Sequence, residues 1–230
     1  ATPTATLRIV DDHPGSAISP FVFGSNEIGV MDGGLPSAEL DRRAGVTFRR
    51  LGGDLMTGYN WVNNATNAGK NHRHANGAFL LEALRIPRAE WARPAVVIEA
   101  MHEASLAMGA KSLVTLPIAG YVAADFASTV AENQTAPSAR FVEARWTSAR
   151  GASDPVDPSV ADMPQLVARL VARYGSAATP TGIHAYALDN EPALWFQNHP
   201  RLTPRRVTIR SFIARSIEAA RAIKALDPAA

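Results

Sequence analysis

Asp189-Asn190-Glu191-Pro192-Ala193-Leu194-Trp195 closes a short β-like run with a carboxylic acid set between a side-chain amide and a proline. A carboxyl group at a strand end can hand a proton to a leaving oxygen if its surroundings keep it protonated. Hydrolysis of a glycosidic bond needs that acid and a second, ionised carboxylate to attack carbon or activate water. Glu191 suits the first role, with Trp195 expected to supply the desolvation and Asn190 a hydrogen bond to a sugar hydroxyl. On the tripeptide alone, Asn-Glu-Pro reads equally well as a helix or turn start with proline at an early position.

Such a group has to be positioned by strands. Ser112–Ile118 has the continuous apolar character of a strand buried on both faces, Thr47–Leu51 and Ile183–Leu188 read as further strands, and Leu7–Val10 and Phe21–Gly24 as short ones. Between them lie helical patterns. Leu166, Val167, Leu170, Val171 and Tyr174 recur at spacings of three and four from Met163, with Asp162 as N-cap and Gly175 as the stop. A second helix runs from near Pro94 to Gly109, and a third starts at Thr203-Pro204 and carries Val207, Phe212, Ile213, Ile217 and Ile223. Alternating strands and helices imply a parallel α/β sheet or barrel with right-handed crossovers. The stretch from Gly52 to Glu90, rich in asparagine and glycine, breaks that rhythm and reads as a long functional loop.

Composition narrows the class. The 230 residues are 47% hydrophobic and 19% charged, without an apolar run long enough to span a bilayer. The formal charge of +2 comes with arginines spread over several helices, which gives no phosphate-binding stripe, and the last helix carries its arginines around an apolar row. With no cysteine, a disulfide framework, a thiolate metal site and a cysteine nucleophile are excluded. His72 and His74 form an H-x-H pair with no third ligand nearby, so no metal is called for. The Ala1–Thr6 opening suits a mature secreted protein, and a boundary set by cloning would look the same.

Arg50-Leu51-Gly52-Gly53-Asp54, Thr57-Gly58-Tyr59-Asn60-Trp61, Asn63–Gly69 and Leu188–Trp195, followed by His199-Pro200-Arg201, resemble glycoside hydrolase family 44. The likeness runs from Phe23-Gly24-Ser25-Asn26 to Ala225–Pro228. It implies a bacterial, secreted endo-β-1,4-glucanase also acting on xyloglucan, with a retaining mechanism on a (β/α)8 TIM barrel. Residues 21–230 would be about the first four β/α units, and residues 1–20 a strand and turn of an accessory β-domain. By that resemblance Glu191 is the general acid/base. Asn190 contacts the sugar beside the scissile bond, and Arg50 lies near the nucleophile. Tyr59, Asn60, Trp61 and Trp195 line the glucan cleft, and Asn26 and His199 are further substrate contacts. Glu27, at the first strand's end, is a cleft carboxylate to which the resemblance assigns no role.

The chain departs from the family's pattern at Asp54, usually Asn, and at Asn71-His72, usually Asp-Trp. The family's nucleophilic Glu comes from the seventh strand, beyond residue 230. The partners expected are therefore a β-glucan or xyloglucan and a second polypeptide, or a C-terminal half, that completes the barrel. No cofactor is required. The alternative is a half-barrel or glucan-binding module without turnover.

Overall fold

The computed structural model describes residues 8, 15, 17–26 and 37–230. Four parallel strands, β1 (Gly24–Ser25), β2 (Phe48–Leu51), β3 (Lys111–Leu116) and β4 (Ala185–Leu188), lie side by side in chain order. Gly24 pairs with Phe48, Phe48 with Lys111, and Leu113 with Ala185. Sequential order with a helix after every strand is the pattern of a (β/α) barrel. The helices are α1 (Ser37–Arg43), α2 (Val96–Ala107), α3 (Met163–Tyr174) and α4 (Ile209–Leu226).

Each element follows from its local chemistry. Asp162 accepts the Gln165 N–H at the start of α3, and Gly175, at φ 90°, ends it in a conformation that disfavours a side chain. Leu166, Val167 and Leu170 of α3 join Val97, Ile98 and Met101 of α2 and Leu51, Val114 and Leu116 of the sheet in one core. Arg49, on β2, is buried. It ties the sheet to both neighbouring helices, donating to Asp41 of α1 at 2.7 Å and to Ser105 of α2 at 3.3 Å. His102 of α2 is buried between Ser112 on β3 and the Thr181 carbonyl, and burial lowers its pKa.

Three sequence expectations need correction. Phe21 and Val22 belong to a 3₁₀ turn, Pro20–Val22, because the Ser19 hydroxyl accepts the Phe21 N–H and proline begins the turn; strand pairing starts only at Gly24. The last helix starts at Ile209, capped by Thr208. Thr203 donates its backbone N–H and its hydroxyl to the His199 carbonyl and so completes the preceding turn instead. The Gly52–Glu90 segment holds two short helices, Asp54–Thr57 and Phe79–Ala83, and two strands, Thr66–Asn67 and Ala75–Gly77. Those strands form a small sheet with Ser128–Thr129, and a second sheet joins Tyr121–Ala123, Phe141–Arg145 and Val160–Asp162. The asparagines brace this wall. Asn60 donates to the Ala123 carbonyl, Asn63 to Ala124, Asn64 to Trp91 and Arg93, and Asn76 to Arg140.

The expected strand at Leu7–Val10, and most of residues 1–20, lie outside the described residues. Among the described residues, no helix is long and apolar enough to cross a membrane.

Candidate active site

Asp189, Asn190 and Glu191 leave the C-terminal end of β4 on a backbone that turns left-handed twice, at φ 66° for Asp189 and φ 42° for Glu191. Neither is glycine, so each position is strained by about 1 kcal/mol or more. The anchor is Asp189. Its buried carboxylate accepts the Thr57 hydroxyl (2.7 Å), the Ile118 and Ala119 N–H groups (2.7 and 3.0 Å), the Asn190 N–H (2.8 Å) and the Trp195 indole N–H (3.2 Å). Burial raises its pKa, while these donated hydrogen bonds act in the opposite direction. One carboxylate thereby fastens the ends of β2, β3 and β4 to each other. The sequence signal for this was weak, since Asp189 stood out only as a neighbour of Glu191.

Around that anchor the polar side chains converge. Arg50, on β2, donates to the Asn190 side-chain carbonyl at 3.0 Å and to the Asn26 carbonyl beyond β1 at 3.2 Å. Gly52 leaves room for it: a Cβ there would fall 2.3 Å from the Arg50 guanidinium carbon. The Asn190 amide nitrogen, in turn, reaches Asp54 at 3.3 Å and Glu191 at 3.4 Å. Glu191 itself is exposed. The arrangement presents one free carboxyl beside a guanidinium and two amides, a set suited to proton transfer next to a hydroxyl-rich ligand.

The structure thus brings Asn26, Arg50, Asn190 and Glu191 together, and adds Asp54. Glu27 lies outside the described residues. The other expected contacts need correction. Tyr59, Trp61 and Trp195 are at most 1% exposed, so none offers a ring face to a ligand here. Tyr59 donates to Asn64, and Trp195 turns inward with its N–H on Asp189 and the Asn190 carbonyl (2.9 Å). It therefore does not desolvate Glu191. Asn60 spends its amide on the Ala123 carbonyl and the Val62 N–H. His199 is buried too, its Nε2 3.9 Å from Asp54. Asp54's carboxyl is held below the usual carboxylate range by His199 first, and then by Asn190 and Asn198. His72 packs on the Phe79 ring at 5.5 Å.

Comparison with known proteins is consistent in direction. The profile of glycoside hydrolase family 44 matches residues 56–230. Curated relatives include a β-mannanase/endoglucanase A of Caldicellulosiruptor saccharolyticus, 41% identical over 93% of this chain and 15% of its own length, and endoglucanase A of Paenibacillus lautus, 39% identical over 99% of this chain and 31% of its own. Among solved structures, a family 44 xyloglucanase of Paenibacillus polymyxa superposes with a TM-score of 0.84 at 39% identity. The family 44 endoglucanase Cel44A of Clostridium thermocellum does so with 0.81 at 38%. Each superposition covers 94% of this chain and, respectively, 41% and 40% of the solved one. The chain spans well under half the length of these relatives.

Proposed function

Because this chain belongs to glycoside hydrolase family 44, we propose that it is part of a retaining endo-β-1,4-glucanase or xyloglucanase in which Glu191 is the general acid/base. The observation that carries this reading is the exposed carboxyl at the end of β4, in contact with the Asn190 amide that Arg50, itself bonded to Asn26, orients. In the proposed first step Glu191 gives its proton to the departing glycosidic oxygen while a nucleophilic Glu attacks the anomeric carbon. In the second, Glu191 takes a proton from the water that resolves the glycosyl-enzyme. Retention requires the two carboxyls to stand about 5–5.5 Å apart. The polymer substrate fits action outside the cell, and a second polypeptide segment would supply the remaining strands and the nucleophile.

What supports this need for completion is the sheet's open side. β4 is half-buried along its whole length, whereas β3, paired on both sides, buries most of its residues. A strand left so is an edge that normally requires cover.

A second reading, a glucan-binding module without turnover, is favoured by one observation. Among the described residues, the carboxylates beside Glu191 are Asp189, fully engaged in hydrogen bonds, and Asp54, held by Asn190 and His199, so neither is free to attack carbon. Turnover of carboxymethylcellulose and xyloglucan by the natural protein and by Glu191→Gln separates the readings. The enzyme reading expects kcat to fall by about 10²–10⁴-fold. Saturable glucan binding with no turnover in either form supports the module, and unchanged turnover in the variant removes Glu191 from the chemistry.

A further inference from the structure

The Asn190 side chain is the hinge of the polar cluster. Its carbonyl is taken by Arg50, which fixes the amide orientation, so its two N–H donors must point the other way. There they meet Asp54 at 3.3 Å and Glu191 at 3.4 Å. A single amide nitrogen therefore joins two carboxyl groups, which places the two contacted oxygens no more than about 7 Å apart. Left alone, Asp54 would turn to solvent, since about a third of its side chain is exposed. What faces it is His199, which is 1% exposed and whose ring nitrogens have no hydrogen-bond partner. A buried imidazole without partners is costly, and the Asp54 carboxylate stands 3.9 Å in front of it.

We propose that Asp54, backed by the buried His199, is a positioning residue that holds the Asn190 amide against Glu191. The inference rests on the reading of Glu191 as acid/base for its functional meaning, but the network itself does not. Asp54 begins the Asp54–Thr57 helix after β2, and His199 ends the Trp195–Asn198 helix after β4. The pair thus couples two strand ends through side chains alone. The titratable and charged groups around Asp54 are His199, Arg50 across Asn190, and Glu191 and Asp189 at the end of β4; His74 lies within electrostatic reach of His199. With Asp54 ionised at neutral pH, the Asn190 amide donates to a charged acceptor there; with Asp54 protonated it meets only a neutral, weaker one.

The Asn190 side-chain amide resonances report this directly, by ¹H–¹⁵N NMR during an acid titration of the natural chain. They are expected to shift with a midpoint below the ordinary carboxylate range, as the lowered Asp54 pKa requires. Asp54→Asn, which keeps the shape and an acceptor oxygen, should abolish that transition and leave the amide hydrogen-bonded. His199→Gln should move the midpoint upward. On glucan substrate, Asp54→Ala is expected to lower kcat about tenfold with little change in KM, and Asp54→Asn to recover most of it. The proposal is overturned if, in the Glu191→Gln background where Asp54 is the carboxyl left on this amide, no acidic transition appears or the transition survives Asp54→Asn. If the amide behaves as expected while Glu191→Gln retains full turnover, the network stands and the assignment of Glu191 is what fails.

Discussion

The two sides of this half-barrel are finished to different standards. On the side of β2 and β3, the loop wall is closed: Trp61, Tyr59, Leu80 and Ile98 are at most 1% exposed, and asparagine amides tie the connections to one another. On the side of β4 and α4, Ile209, Ile213 and Ile217 form a row that is 80%, 49% and 45% exposed. Spaced four apart on one helix, they line a single stripe of α4. Glu191 follows Asp189, which the closed wall anchors, yet is itself exposed, so rigidity of placement comes from the neighbour and access of ligand from the residue's own position.

Truncation should separate the two regions by size of effect. Trp61→Ala in the closed wall is expected to cost about 3–5 kcal/mol, seen as a lowered urea midpoint with an unchanged slope. A loss below about 1 kcal/mol would mean the wall is not packed as described. His102→Gln probes the closed side more gently. Because burial lowers the pKa of His102, the folded state favours the neutral ring. Its stabilising contribution is then complete above about pH 6.5, the ordinary histidine value, and shrinks as pH falls below it. Stability of the natural chain should drop more steeply than that of His102→Gln between pH 6.5 and pH 5 in thermal melts; parallel curves would contradict a buried neutral imidazole. The smallest effect is expected on the open side. Ile217→Asp should change the stability of this chain by about 0.5 kcal/mol or less, yet reduce any concentration-dependent mass increase seen by light scattering. A loss as large as that at Trp61 would erase the contrast.

Strands β2, β3 and β4 and helix α3 were legible in the sequence because their signals are local: a β-prone run closed by turn residues, a spacing of three and four, an aspartate before and a glycine after. Asparagine-rich composition, by contrast, says only that a segment carries many amides, and whether they face a ligand or a carbonyl depends on distant partners, 63 residues away for Asn60 and Ala123. The same limit explains Tyr59, Trp61 and Trp195. A flat ring beside a polar motif looks the same in sequence whether it turns toward solvent or, as with Trp195, inward to hold Asp189. Arg50, Asn190 and Glu191 could be singled out from their types and order. Asp54 joins the cluster through Asn190, a pairing across 136 positions that no spacing rule contains.

The left-handed torsion at Glu191 sets durability against chemistry. Glycine would adopt that backbone freely, and Glu191 gives little back to the fold, with one long contact to Asn190. A laboratory lineage chosen only for heat tolerance has reason to discard this residue early, and would become hardier as it fell silent.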